Sequence, residues 1–272
     1  MTSLNGQDLD PLTHDELRRV FALPEYPRSS NYDPQWVIDN SMGPNVLWLA
    51  EALTNAMDLT PGMRVLDLGC GKAISSIFLT REFGLEVWAT DLWIDAAANW
   101  ERVQDAGETA RVFPVHAEAH DLPFADGFFD AIICVDAFHY FGTDDLYLEY
   151  LTRFARVGAE IGIAIPGTTQ ELDVLPSHLQ PYWHRDFATF HSAAWWRRHW
   201  EKSCLVEVRS CDEVPQGAQQ WQLWSDTCIQ QGVAGGSEQA EMIRVDAGRT
   251  LAFVRMVGAR LKEPTKTWSV PR

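Results

Sequence analysis

No apolar run in the chain exceeds about seven residues, far short of the roughly 20 that cross a bilayer as a helix. A membrane partner is therefore not expected. Basic residues are scarce, with 22 Lys and Arg against 38 Asp and Glu and a net charge of −16. So acidic a surface repels a phosphate backbone, whose neutralisation supplies most nucleic-acid affinity. The pair Arg197-Arg198 is too short a basic cluster to reverse this, so the expected partner is a small molecule and not a nucleic acid. Metal-type cysteine spacing is absent as well. The five cysteines form no CxxC pair and no Cys/His zinc pattern, so no metal site is expected. Scattered thiols in odd number suit a reducing compartment. The polar, acidic start lacks the basic-then-apolar order of a leader, which predicts a cytoplasmic protein.

What is present is a globular composition, 46% hydrophobic and 22% charged over 272 residues, with disorder expected only in about the first dozen residues and beyond Glu263. Between 64 and 165 short β-branched runs alternate with helical stretches, the pattern of a parallel sheet with crossover helices. Strands are predicted at 64–68, 86–90, 111–116, 129–135, 161–165, 205–210 and 250–257. Helices are predicted at 45–57, 72–83, 95–107 and 143–157, the last capped by Thr143 with Asp144 and Asp145 in its first turn. The fold class is thus α/β: a Rossmann-like, seven-stranded, mostly parallel sheet with helices on both faces and a helical cap. Residues 1–60 form an N-terminal helical segment, 61–170 the nucleotide-binding core and 171–203 an aromatic-rich cap insertion. Residues 204–272 carry the C-terminal strands with a helical insertion.

The strongest motif is Val65-Leu66-Asp67-Leu68-Gly69-Cys70-Gly71-Lys72-Ala73, a strand running into a glycine loop and then a helix. Glycine serves where backbone must turn sharply and let a ligand touch the main chain. A dinucleotide fingerprint would need glycine at position 74, where Ile74 stands. Asp91 ends the second strand 20 residues after Gly71, where a carboxylate accepts from ribose hydroxyls or caps the following helix. Ala117-Glu118-Ala119-His120-Asp121-Leu122-Pro123-Phe124 follows the third strand, and Phe129 to Asp136 forms the fourth.

Together these four motifs, over about 110 residues, resemble the class I S-adenosylmethionine-dependent methyltransferases. The chain departs from their Gly-x-Gly-x-Gly at Ala73 and from their Asp-Ala-x-x-Leu-Pro-Phe stretch at Glu118. The resemblance implies S-adenosylmethionine as cofactor, held by Asp67, Gly69, Cys70, Gly71, Asp91, Leu92, Glu118, Ala119 and Cys134. In it Glu118 accepts from the adenine amino group and the Ala119 N–H meets a ring nitrogen. Met42-Gly43-Pro44-Asn45 and the tryptophan-rich insert are similar to small-molecule members labelled cyclopropane-synthase-like, an analogy of fold.

The implied reaction is methyl transfer to an N, O or C atom of a metabolite. It needs an aligned nucleophile and, where that carries a proton, a base. His139 just beyond the fourth strand, and His184 and His191 in the insert, are the candidate bases, because imidazole titrates near neutrality. The alternative for His139 is a hydrogen-bonded pocket residue. Trp195 and Trp196 stand one turn before His199 and Trp200 on a helix capped by Ser192. Such a stripe serves packing or a lid. The twelve tryptophans, most of them outside the predicted sheet, favour an aromatic-walled pocket. Trp183 and Trp195 are assigned to that pocket, with Tyr32 and Trp36 closing it from the other side. Cyclopropanation or other chemistry with the same cofactor, and a non-catalytic binding partner, stand as alternatives. Both a homo-oligomer and a closing segment remain open.

Overall fold

The computed structural model describes residues 3–4, 7–8, 10–233 and 237–263. The disorder expected beyond Glu263 falls outside the described residues, whereas within the first dozen Ser3–Leu4 pairs antiparallel with Gln7–Asp8. Seven strands form one sheet: β1 (Arg64–Leu68), β2 (Glu86–Asp91), β3 (Val112–His116), β4 (Phe129–Val135), β5 (Ala155–Thr168), β6 (Val206–Glu213) and β7 (Leu251–Arg260). Their spatial order is β3-β2-β1-β4-β5-β7-β6. Pairs among β1 to β5 are parallel, whereas β7 runs antiparallel between β5 and β6. The strand order reverses between β1 and β4, the place where open α/β sheets bind ligands beyond the carboxyl strand ends. Strands β1 and β4 are almost wholly buried and mostly apolar because helices cover both faces.

Nine α-helices are described: α1 (His14–Phe21), α2 (Pro34–Asn40), α3 (Val46–Thr54), α4 (Ile74–Phe83), α5 (Ala96–Asp105), α6 (Tyr147–Thr152), α7 (Ala193–Ser203), α8 (Gly217–Gln230) and α9 (Ser237–Asp246). No described helix is long and apolar enough to cross a membrane. Helix α3 begins where the Asn45 side chain accepts from the N–H groups of Leu47 and Trp48, meeting donors a helix start leaves unpaired. It is buried from Leu47 to Thr54. Its buried Glu51 accepts from the N–H of Arg28 and from the N–H and hydroxyl of Ser29, which ties the N-terminal segment to the core. Phe21 and Trp48 meet Trp224 of α8 at 5.3 and 6.2 Å between ring centres.

Two expectations are corrected. The helix predicted at 143–157 is only the six residues of α6, and β5 is 14 residues long. Asp144 accepts from the N–H of Leu146 in a local turn and does not cap a long helix. The register of β5 then slips between Phe129 and Ala131 of its partner, with 156–158 bulging exposed. The second correction concerns the cap at 171–203. Ser192 does cap α7, accepting from the Trp195 N–H at 3.3 Å, but α7 lies on β6 and β7 as a crossover helix. Trp196 and Trp200 are fully buried. Trp200 fits because Gly258 of β7 offers no side chain; a Cβ there would stand 3.1 Å from the indole ring.

Candidate active site

A cavity of about 300 Å³ opens at the carboxyl ends of β1, β2 and β4, within the size range of small-ligand sites. One side is the glycine turn. Gly69, Gly71 and Ala73 all take positive φ, 73°, 54° and 60°. An ideal Cβ on Gly69 would stand 2.5 Å from the Ala137 Cβ, so only glycine fits this position. Ala73 holds the third glycine position in a left-handed conformation, a strain of about 1 kcal/mol for an L-residue.

The glycine-turn donors of Gly69, Cys70 and Gly71 are engaged inside the protein. The N–H groups of Gly69 and Cys70 both reach the Thr90 carbonyl at 2.9 Å, and Gly71 N–H donates to Asp91 Oδ2 at 2.8 Å. A pyrophosphate site needs such N–H groups free, so the turn does not suit a dinucleotide. Asp91 Oδ1 accepts from the N–H groups of Trp93 and Ile94 at 2.7 and 3.0 Å. Asp91 therefore braces both loops while lining the cavity, and a carboxylate retains further acceptor sites beyond these three bonds.

Asp67 is placed differently from expectation. It does not line the cavity. Its Oδ2 accepts from the hydroxyls of Ser75 and Ser76 at 2.6 Å each, fastening α4 behind the turn. Its Oδ1 is buried without a partner among the described residues. Burial pushes the Asp67 carboxyl up to about 6, against the two serine hydrogen bonds that pull it down.

Gly69, Cys70, Gly71, Leu92, Glu118 and Ala119 all line the cavity as expected. Glu118 meets His120 twice, through the backbone N–H at 2.9 Å and the ring Nδ1 at 2.8 Å. The ring contact is the largest cause holding its carboxyl below the usual range. Cys134 is corrected: it is buried among Leu66, Ile132 and Ile163, and strand β4 presents Val135, Asp136 and Ala137 to the cavity instead. Cys134 stands one residue short of the carboxyl end of β4 and is covered by the core, whereas the residues at and beyond that end reach the cavity.

None of the three candidate bases reaches the cavity. His139 is buried against Tyr140 and Phe190, and its Nδ1 has no described partner. Burial lowers it to about 4, which makes it a neutral packing group. His184 is exposed and accepts from the Asp186 N–H at the start of a short turn of helix at Arg185–Thr189. His191 pairs with Glu171 at 2.9 Å and stacks on Trp195 at 3.7 Å between ring centres.

The aromatic wall is likewise corrected. Trp195 is sandwiched between His191 and His199, and Trp183 packs edge-on to Phe187. Tyr32 and Trp36 stack on each other at 6.0 Å beside a second groove, which includes Arg81 and Arg102. The mouth of the cavity has its own aromatics, Trp93 and Tyr140, 67% and 50% exposed and edge to face at 5.6 Å.

Asp136 is the functional residue that sequence reading passed over. It follows β4 in a left-handed conformation, φ 58°, and its N–H donates to the Ala164 carbonyl at 2.8 Å. Its carboxylate lines the cavity opposite Gly43; an ideal Cβ on Gly43 would stand 2.4 Å from Asp136 Oδ2. The carboxylate has no hydrogen-bond or ion-pair partner among the described residues, and burial alone raises it to about 8. The wall facing it is held from a distance, since Trp224 Nε1 donates to the Gly43 carbonyl at 2.9 Å. The one available signal was the polar residue breaking an otherwise apolar strand end.

Residues 65–162 match the model of a family described as a methyltransferase domain. Methyltransferase GfsG of Streptomyces halstedii is 29% identical over 119 residues, 43% of this chain and 42% of the relative; the chain thus spans less than half of that relative's length. Among solved structures, phosphoethanolamine N-methyltransferase 2 of Haemonchus contortus superposes with a TM-score of 0.69 at 17% identity, covering 90% of this chain and 60% of the other. Geranyl diphosphate C-methyltransferase of Streptomyces coelicolor gives 0.66 at 18%, with 93% and 90% covered. Residues 65–162 thus resemble the methyltransferase-domain family, and the chain has the class I methyltransferase fold.

Proposed function

We propose that this chain is an enzyme that transfers a methyl group from S-adenosylmethionine to a small-molecule acceptor. The observation that carries the reading is a glycine turn whose Gly69, Cys70 and Gly71 N–H groups are satisfied internally, opening onto a cavity lined by the Asp91 carboxylate. Such a site favours a ligand that is cationic and rich in hydroxyl donors over an anionic one. The residues present fit the cofactor: the Gly69 and Gly71 turn leaves room for it, Asp91 accepts from the ribose, and Glu118 with the Ala119 N–H meets the base. When bound, it supplies a sulfonium-activated methyl group. Asp67 holds α4 and the turn in place from behind. The exposed rim of Trp93 and Tyr140 and the net charge of −16 support a small, non-anionic acceptor over a nucleic acid.

Calorimetry with S-adenosylmethionine and S-adenosylhomocysteine tests the reading. Micromolar binding of both is expected. A flat titration at millimolar ligand ends the assignment.

A further inference from the structure

Around the cavity mouth the described surface is unusually apolar. Met42, Leu92, Trp93 and Tyr140, between 49% and 67% exposed, all line it, and exposed apolar groups gathered in one place mark a binding site. Beneath them lies the half-buried carboxyl group of Asp136, with no hydrogen-bond or ion-pair partner among the described residues. The other ionisable side chains on the cavity are engaged elsewhere or stand apart from Asp136. Lys72 Nζ donates to the Asp39 carbonyl, Asp91 holds backbone N–H groups, and Glu118 and His120 hold each other. Cys70 Sγ lies 3.6 Å from the Gly71 carbonyl. Tyr140 keeps its proton, raised first by burial and then by the charge of Asp136. Ionising a half-buried carboxyl group without a partner is costly, and a cationic ligand relieves that cost.

Taking the cofactor reading as its basis, we propose that the acceptor is an amine with a flat apolar body, seated on Trp93 and Tyr140 with its nitrogen at Asp136. The aromatic rims attract a cation through their ring faces, and the acidic surface steers one inward. Asp136 does two things to such a ligand. It gives its own proton up to solvent as the ammonium enters and pairs with it, then takes one proton from the nitrogen onto a carboxylate oxygen. That step breaks one N–H bond, forms one O–H bond and cancels both charges. A neutral amine with a free lone pair and a neutral carboxylic acid result.

The test is calorimetric titration of the protein saturated with S-adenosylhomocysteine, using tryptamine as the probe and its neutral counterpart tryptophol as the control. Tryptamine is expected to bind at least about tenfold more tightly, the size of one charge-assisted hydrogen bond. Titrations at neutral pH in buffers of different ionisation enthalpy should show nearly one proton released, and the release should fade as pH passes about 8. In Asp136→Asn the preference should fall to within about threefold and the proton release should vanish. Tyr140→Ala should weaken tryptamine about three- to tenfold with the homocysteine product unaffected. Equal affinity for the two probes, or no binding of either, overturns the amine assignment. A loss of about tenfold or more in product affinity in Asp136→Asn also overturns it, because the carboxylate then serves the cofactor's own ammonium group. Amine preference in a protein that fails to bind the cofactor product would retain this acceptor site and retire the cofactor reading.

Discussion

The two aromatic-rich regions of this chain have the same residues and opposite uses. On α7, Trp196 and Trp200 are sealed against the sheet, and their contribution is packing. At the cavity mouth, Trp93 and Tyr140 stand in solvent beside the carboxylates of Asp91 and Asp136. A large apolar ring stabilises the fold where it is covered and is available to a ligand where it is not. Burial, and not the density of tryptophan, therefore separates scaffold from site.

The sharpest way to break this contrast is to truncate each side and read both stability and binding. Trp200→Ala removes a fully buried indole and should cost about 3–5 kcal/mol of unfolding free energy in denaturant melts, with cofactor affinity unchanged below the transition. A normal melt would mean that α7 is not part of the core. Asp91→Ala should do the reverse. It removes the brace to Gly71 and the proposed ribose acceptor together, so calorimetry should show S-adenosylmethionine binding weakened by about 2–3 kcal/mol. Unchanged affinity would place the ribose elsewhere.

Asp136→Asn separates the two regions by pH. The native carboxyl holds its proton up to about 8, whereas the unfolded chain releases it near 3.8. Across that window the unfolded state is ionised and the native state is not, so native stability falls as pH rises. The cost is absent below the window and complete above it. Asparagine removes the dependence. Unfolding at pH 9 should show the variant more stable than the parent by about 2 kcal/mol, less than the full linkage value because water in the cavity screens the group. Near pH 4 the two should match, and a constant difference at all pH would assign the effect to packing. The smallest change is expected from His184→Ala. This exposed residue lies away from the cavity, and both melting and turnover should stay within about twofold of the parent. A fall of about a hundredfold in rate would restore it as a base.

Much of this could be read before any coordinates. The glycine turn, Asp91 and the β1-to-β4 core announce themselves because their residues are adjacent in sequence and each obeys a local rule: positive φ for glycine, alternation for strands. The errors have a common origin. Cys134, His139 and Trp195 were assigned by residue type at plausible positions, yet which way each faces depends on strand parity and on what α7 packs against. Asp136 was overlooked because an unpaired carboxylate is defined by the absence of neighbours, a property of three dimensions. The long helix expected at 143–157 failed because Asp144 closes a turn with Leu146, a competing use of the same side chain that looks like a cap.

The indole of Trp224, donating to the Gly43 carbonyl, places a late segment of the chain in command of an early one. Residues 42–44 form one flank of the chamber, yet they hang from α8, which lies outside the 65–162 unit that carries the nucleotide turn. The Gly43 flank of the cavity and the glycine turn are thus set by separate stretches of the chain. A substitution on α8 at Trp224 can therefore shift the Gly43 wall of the chamber while leaving the glycine turn at 69–73 in place.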